Sequence, residues 1–199
     1  MSENHADAQP LIKLILTQPQ LSEPVRFEAA LIEATAAGFA DRVDLIANVV
    51  QEWPEPPPEA NPGQLPIYAI TKSIIELYKG HPDSARLLLD TIANFDYQQT
   101  YSPSSYGFAD INRGLSYLWG GHYTLAEQIL KSALARAEER LGRKNSISCM
   151  LAALLAQVYW ETDQSDDATL LLAGRLTILE RRGLPEALMA AYKTLAGIL

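Results

Sequence analysis

The chain has 199 residues, and 48% of them are hydrophobic, which is enough for a continuous buried core. Its formal net charge of −8 argues against a segment that grips nucleic acid, because that task needs clustered Lys and Arg. The single cysteine, Cys149, excludes an internal disulfide and a multi-cysteine metal site. No stretch approaches the ~20 apolar residues of a membrane-spanning helix, so we expect a protein of the reducing cytoplasm.

The chain repeats itself after a short leader. Residues 1–10 are mostly polar and are predicted to be disordered. Four apolar helical stretches then each reach a break followed by a second apolar stretch, and the breaks begin at Gly38, Gly80, Gly121 and Asp163. These residues are 42, 41 and 42 positions apart. A fixed period, with glycine suited to the left-handed turn that ends a helix, predicts stacked helical hairpins.

The predicted fold is therefore an all-α, right-handed α-solenoid that forms one domain over residues 1–199. Its units are expected at 24–52, 65–94, 108–142 and 146–182, with a partial unit at 184–199. Asp41 and Thr124 are predicted to cap second helices, and 166–182 is predicted to be one continuous helix. Because the next break would fall beyond Leu199, we expect a fragment of a longer protein, or a final helix that self-associates.

Two long connections interrupt the helices. The segment Trp53–Pro66 holds six of the twelve prolines, and it is interpreted as either a stiff connector or a docking site for a proline-recognising partner. The segment Phe95–Gly107 contains three tyrosines, which either anchor a loop by packing or contact a ligand. Both segments are predicted to be loops.

No arrangement of residues typical of catalysis is found. His81 and His122 follow two break glycines, but neither has a His or Cys partner four residues away, so they are interpreted as polar turn residues rather than metal ligands. Phosphate-binding loops, nucleophile elbows and zinc-protease helices are absent from the sequence. The sequence therefore predicts a protein that is not an enzyme and has no cofactor and no metal site.

The third unit resembles the tetratricopeptide repeat. Its glycines, tyrosines and alanines have the spacing of that signature, at Gly114, Tyr117, Gly121, Tyr123, Ala126 and Ala133. The period of 41 to 42 residues exceeds the roughly 34 of the ordinary repeat. It is similar instead to the helical sensor region of LuxR-type, MalT-like, ATP-dependent bacterial transcriptional regulators. The segment from Leu151 to Ile198, with its ERRGLP turn and AYKTLA helix, resembles the same region.

This resemblance implies a non-catalytic sensor or relay segment, whose partners are a small-molecule inducer or a protein and the other domains of a larger regulator. Nucleotide binding and DNA binding would belong to those other domains, so no direct nucleic-acid contact is expected here. The alternative is a stand-alone adaptor or secretion-chaperone-like protein that binds an extended segment of a partner.

The candidate site follows from the ordinary repeat, in which the first helices line the concave face. Transferring that register gives an aromatic set with a few polar groups: Tyr78, Phe108, Leu115, Trp119, Gln157, Trp160 and Glu161. Such a surface suits a sugar or another small inducer, or an apolar partner segment. The alternative is that the tryptophans only fill the interior of the superhelix.

Overall fold

The computed structural model describes residues 12, 14–18, 20–93 and 103–198, with the side chains of 103–106 excepted. The predicted leader, 1–10, lies outside this range. The described residues contain helices and no strand, and ten helices have defined bounds: α1 (Glu23–Phe39), α2 (Val43–Glu52), α3 (Gln64–Tyr78), α4 (Pro82–Asp90), α5 (Pro103–Trp119), α6 (Tyr123–Leu141), α7 (Ser146–Glu161), α8 (Ser165–Leu172), α9 (Leu176–Arg182) and α10 (Pro185–Ile198). None of them is long and apolar enough to cross a bilayer.

Short turns join the helices into hairpins that stack along the chain. The pairs are α1 with α2, α3 with α4, α5 with α6, and α7 with α8. The first helix of each unit packs on the first helix of the next, so that α1 contacts α3, α3 contacts α5, α5 contacts α7 and α7 contacts α10. This arrangement is the predicted solenoid of helical hairpins.

The four turns within hairpins have the same backbone structure. Each contains one residue with positive φ, namely Asp41 (55°), Gly80 (78°), Gly121 (74°) or Asp163 (59°). The amide of the following residue donates to the carbonyl five positions earlier, as His81 does to Glu76 at 2.9 Å. The prediction that Gly38 forms the first break is wrong, because Gly38 lies inside α1. Aspartate tolerates the left-handed conformation, so Asp41 takes this place and the true spacings are 39, 41 and 42 residues.

The two predicted N-caps, Asp41 and Thr124, are also wrong. Second helices begin two residues after each left-handed residue, at Val43, Pro82, Tyr123 and Ser165. The N-cap position of α2 is Arg42 and that of α6 is His122, neither of which makes a side-chain capping bond. Asp41 cannot act as the cap because its backbone completes the end of α1, and Thr124 already lies within α6.

The predicted continuous helix over 166–182 is broken between α8 and α9. Gly174 has a φ of 72°, which ends α8, and Arg175 turns inward until only 2% of it is exposed. The Arg175 guanidinium donates to the carbonyl of Ser148 at 3.1 Å and pairs with Glu138. The break therefore places the buried Arg175 cation among carbonyl and carboxylate acceptors. A pattern of hydrophobic residues does not predict such a break, because the break depends on polar contacts.

Both predicted loops are shorter than expected. Helix α3 begins at Gln64, so Pro66 lies in its first turn, and α5 begins at Pro103, so 103–107 is helical. Proline is tolerated in a first helical turn because the amide it lacks has no partner there. Residues 94–102 of the tyrosine-rich connection lie outside the described range.

The start of the proline-rich connection is anchored in the core. Trp53 is 9% exposed and packs against Phe27 with 5.3 Å between ring centroids. The Tyr68 hydroxyl hydrogen-bonds to the Trp53 carbonyl at 3.0 Å. These contacts favour the interpretation of this segment as a stiff connector.

Candidate functional site

A pocket opens on the concave side of the first three units. It encloses about 880 Å³, including its solvent-open mouth. Its walls come from α1, the turn after α1, helices α2, α3 and α5, the turn between α9 and α10, and the first turn of α10. The lining residues are Ala34, Thr35, Gly38, Phe39, Asp41, Val43, Ile46, Ile67, Ile70, Thr71, Ile74, Phe108, Asn112, Leu184 and Glu186.

The floor of the pocket is apolar. Ile67, Ile70 and Ile74 follow one another at three- and four-residue steps, which places them on one face of α3. Phe108 of α5 lies beside them and packs edge-on against Phe39 of α1, with 5.7 Å between ring centroids and 84° between ring planes. This combination of aliphatic and aromatic groups can bury an apolar body.

Two buried polar side chains of neighbouring units also line the pocket. Asn112 is 4% exposed, and its Nδ2 donates to the carbonyl of Ile70 at 3.0 Å and to Ser73 Oγ at 2.9 Å. These bonds use both amide hydrogens and leave Oδ1 to accept. Thr71 is 7% exposed, and among the described residues its hydroxyl has no hydrogen-bond partner. The pocket therefore offers polar groups that a ligand could satisfy.

Two carboxylates, Asp41 and Glu186, stand at the rim. Glu186 accepts a hydrogen bond from the Tyr78 hydroxyl at 2.7 Å, and neither carboxylate forms an ion pair within the described part of the chain. Burial of the Tyr78 hydroxyl, and next its bond to Glu186, raise the pKa of this tyrosine. Tyr78 therefore stays a neutral donor at any physiological pH, and the rim is negative.

The rim also joins distant parts of the chain. Leu184 and Glu186 belong to the fifth unit, yet they line the same pocket as Gly38 and Asp41 of the first unit. A Cβ added to Gly38 would lie 4.0 Å from Leu184 Cδ2. Leu184 is itself held by its amide, which lies 3.1 Å from Met150 Sδ. The solenoid is thus curved enough for its last turn to approach its first hairpin.

The predicted site residues fall into four groups. Phe108 lines the pocket, whereas Tyr78 and Trp119 lie outside it, each 44% exposed and packed edge-on with centroids 5.8 Å apart. Leu115 is only 1% exposed and lies in the core, where no ligand reaches it. The remaining predicted residues, Gln157, Trp160 and Glu161, belong to α7 and do not line the pocket.

The far end of α7 is covered by α10. Lys193 pairs with Glu161 at 2.6 Å, and its ammonium lies 5.3 Å from the centre of the Trp160 ring. Trp160 also packs so closely on Gly197 that a Cβ there would be 2.4 Å from the indole. Trp160 therefore fills the superhelix, which was the alternative interpretation of the tryptophans.

Several pocket residues were missed from the sequence. Phe39 was recoverable, because Phe39, Tyr78 and Trp119 each stand two residues before a left-handed turn residue once Asp41 is taken as the first. Asp41 and Glu186 carried no signal, since only the curvature of the solenoid brings them together.

Within the described residues, no three His, Cys, Asp or Glu side chains are placed to hold a metal ion.

Comparison with known proteins identifies the fold. No family model matches the chain, and no curated protein matches it significantly. One solved structure resembles it: a crystal structure of nearly identical TPR-like repeats from Podosopora anserina, assigned as a kinesin light chain. The two share 19% identity over 90% of each chain, with a TM-score of 0.54. The chain therefore has a TPR-like repeat solenoid fold.

Proposed function

We propose that this protein is a non-catalytic, cytoplasmic binding module whose concave pocket receives a ligand, and that it serves as the sensor or relay segment of a MalT-like regulator. The pocket is the observation that supports the proposal. It combines an apolar floor with a few polar groups, which is the composition typical of small-molecule sites.

The curvature of the solenoid supports the relay part of the proposal. A ligand in the pocket would touch both the first hairpin and the turn of the fifth unit, which contributes Leu184 and Glu186. A ligand shifts a conformational equilibrium only by its difference in affinity for the two states. If the two ends separate in one state, the ligand loses its contacts with Leu184 and Glu186 there, and binding would favour the closed arrangement.

Pocket-filling variants test ligand binding. Gly38 has ordinary helical backbone, and an added Cβ would have no neighbour closer than 3.8 Å, so Gly38→Met should fold and extend into the pocket. Gly38→Ala is the matched control. Thermal unfolding is measured against a metabolite panel, where a ligand at a hundredfold excess over Kd stabilises by about 2.7 kcal/mol. The expected ligand stabilises wild type and Gly38→Ala but not Gly38→Met, and a panel with no such ligand contradicts the proposal.

The regulator assignment needs a separate test. It derives from the resemblance of the segment Leu151–Ile198 and from the repeat period, and it predicts that the complete coding sequence also specifies a nucleotide-binding switch and a helix-turn-helix domain. Reading the gene in both directions checks this. If the gene specifies neither domain, the regulator assignment is contradicted, while the proposal of a binding module is unaffected.

An adaptor function is favoured by a different feature. The aromatic row, formed by Phe39, Tyr78 and Trp119, runs across three consecutive units, with exposures of 37%, 44% and 44%. A row with one aromatic per unit suits an extended segment of a protein partner. Co-purification would recover a stoichiometric partner, which Trp119→Ala should release while Gly38→Met retains it.

Self-association through α10 also stays a prediction, because Met189 and Tyr192 are exposed on that helix. Analytical sedimentation tests it.

A further inference from the structure

The charge of the pocket rim is not balanced by the protein. Some carboxylates elsewhere have cationic partners, as Glu127 has Lys131 at 2.6 Å and Asp110 has Arg136 at 2.9 Å, while others on the open surface have none within the described residues. At the rim, Asp41 and Glu186 have none within the described residues, and no Lys, Arg or His side chain is among the lining residues.

The neighbouring arginine does not supply the missing charge. Arg42 follows Asp41 directly, but its guanidinium forms two bonds to Asp44, from Nε at 2.9 Å and from Nη2 at 2.7 Å. This bidentate geometry fixes the fork of Arg42 on the other carboxylate. Asp41 therefore remains open to a cation that comes from outside.

A second observation lies at the base of the pocket. The Thr71 hydroxyl belongs to a residue that is more than nine-tenths buried and has no partner among the described residues, while Asn112 keeps its carbonyl oxygen free to accept. The Thr71 hydroxyl is not fully enclosed, so a ligand in the pocket can reach it and bond to it. Both oxygens can accept hydrogen bonds from an N–H donor.

The aromatic groups are consistent with the same ligand. Phe39 and Phe108 line the pocket and present ring surface beside the isoleucines of α3. An aromatic ring attracts a cation through its negative face, and the attraction grows as the site loses water. An anionic ligand would meet two carboxylates and no cation, which disfavours it.

We propose that the pocket binds an organic cation. The apolar body of this ligand would lie on the floor of the pocket, and its ammonium or guanidinium group would be held at the rim by Asp41 and Glu186. This rests on the proposed function and names its ligand class. The same chemistry could come from a free small amine, or from a Lys or Arg side chain next to an apolar residue in a peptide.

A matched series of probes separates charge from shape. 2-Phenylethylammonium, 2-phenylethanol and phenylacetate share a ring and differ in charge, and titration calorimetry with the full chain compares them. Blocked Ala-Phe-Lys-Ala and Ala-Phe-Glu-Ala peptides form the second arm. The cation is expected to bind at least about tenfold more tightly than the neutral probe, and the anion more weakly than either. Whichever cationic arm binds more tightly identifies the source.

Charge-neutralising variants locate the binding. Asp41→Asn keeps a residue that tolerates positive φ, and Asp163→Asn is its matched control, since the two φ values are 55° and 59°. Glu186→Gln keeps an oxygen for the Tyr78 hydroxyl, and its control is Glu180→Gln, because Glu180 accepts from Tyr192 at 2.8 Å. We expect about a tenfold loss of cation affinity from each rim variant and no loss from either control.

The possible outcomes distinguish this proposal from the proposed function. Equal affinity for the cationic and neutral probes, or no detectable binding of any cationic probe, overturns the cation proposal. A ligand from the metabolite panel that is blocked by Gly38→Met would still leave the binding function standing. Unchanged cation affinity in both Asp41→Asn and Glu186→Gln also overturns the cation proposal, once circular dichroism shows that the variants are folded.

Discussion

Helices α3 and α7 are both first helices of their units, yet one borders a pocket and the other is enclosed. Helix α7 contacts α5, α6, α8, α9 and α10, and the residues from Ile147 to Ala156 are all buried. Helix α3 has Ile67, Ile70 and Ile74 only partly buried, because they face the pocket. A helix that is apolar on all sides is typical of a buried position, and α3 differs because one of its apolar faces stays open to the pocket.

The difference between the two helices comes from what lies on their concave sides. Beside α7, the short helix α9 and helix α10 fill that space, and Lys193 pairs with Glu161. At the positions equivalent to Glu161, α3 and α5 carry Tyr78 and Trp119, which stay exposed. We infer that the second half of the solenoid supplies most of the stability and that the first half supplies the binding surface.

The largest effect should come from breaking the buried ion pair beside α7. Glu138→Ala removes the carboxylate that pairs with Arg175, whose side chain is 3% exposed. Removing Glu138 leaves the buried Arg175 cation without its carboxylate, which should cost about 3 kcal/mol of the free energy of unfolding, the low end for a buried pair because the Glu138 side chain is 34% exposed. Urea denaturation measures this loss. Glu139→Ala, one residue away on the exposed side of α6, is the control and should change little, and equal losses would show that the second half does not depend on this pair.

A smaller loss is expected where helices approach closely. A Cβ at Gly114 would lie 2.4 Å from Leu130 Cδ2, and Leu130 is fully buried. Gly114→Ala must displace that side chain, and overpacking of this kind costs about 1–3 kcal/mol. Thermal unfolding measures the effect, with Gly38→Ala as the matched control because its Cβ meets only ordinary contacts. A neutral Gly114→Ala would mean that the third hairpin is packed more loosely than the distances indicate.

The sequence predicted the hairpin solenoid because each part of that prediction is local. Buried positions recur at helical spacing, and Gly80 and Gly121 are residues that readily adopt the positive φ of the turns they occupy. The first break was misplaced because aspartate rarely adopts positive φ, so Gly38 was the more obvious candidate. The break at Gly174 was missed because it depends on a distant partner, the pairing of Arg175 with Glu138.

The candidate site was harder to predict, because it depends on curvature. Transfer of the repeat register included Phe108, which lines the pocket, but also Tyr78 and Trp119, which lie outside it. The transferred register also included Trp160. It could not separate this residue from the accessible aromatic residues, because only the packing of Gly197 and Lys193 shows that the Trp160 ring is covered. The rim needs Asp41 and Glu186 to meet across 145 positions of chain, and no local pattern encodes that meeting.

A gain of stability would confirm the corrected register of the first hairpin. If Asp41 holds the left-handed position, Asp41→Gly relieves its backbone strain and Gly38→Ala improves the propensity of α1, and each should stabilise by up to about 1 kcal/mol. If Gly38 were the turn residue, alanine there would destabilise instead. The midpoint of urea unfolding decides between the two registers, because the signs of the Gly38→Ala effects are opposite.

The smallest effect concerns the bond that joins the two halves. Tyr78→Phe removes the hydrogen bond to Glu186 across the pocket rim and should cost about 0.5–1 kcal/mol, since both groups are partly exposed. The pKa of Tyr78 is raised, first by burial and then by Glu186, so folding favours its neutral form. Its contribution is therefore complete below pH about 10, the ordinary tyrosine value, and is lost as the pH rises above it. Tyr78→Phe should flatten that part of the alkaline stability curve.

The matched control for Tyr78→Phe is Tyr192→Phe, because Tyr192 is also 44% exposed and donates to a glutamate, Glu180, at 2.8 Å. That bond spans only α9 and α10, so its removal should leave hydrogen exchange in α3 unchanged. Tyr78→Phe should instead speed exchange at the end of α3 and at the start of α10 together, because it releases the contact between them. Faster exchange at only one of these ends would mean that the first and second halves are held together by the apolar contact of Leu184 and not by the Tyr78–Glu186 bond.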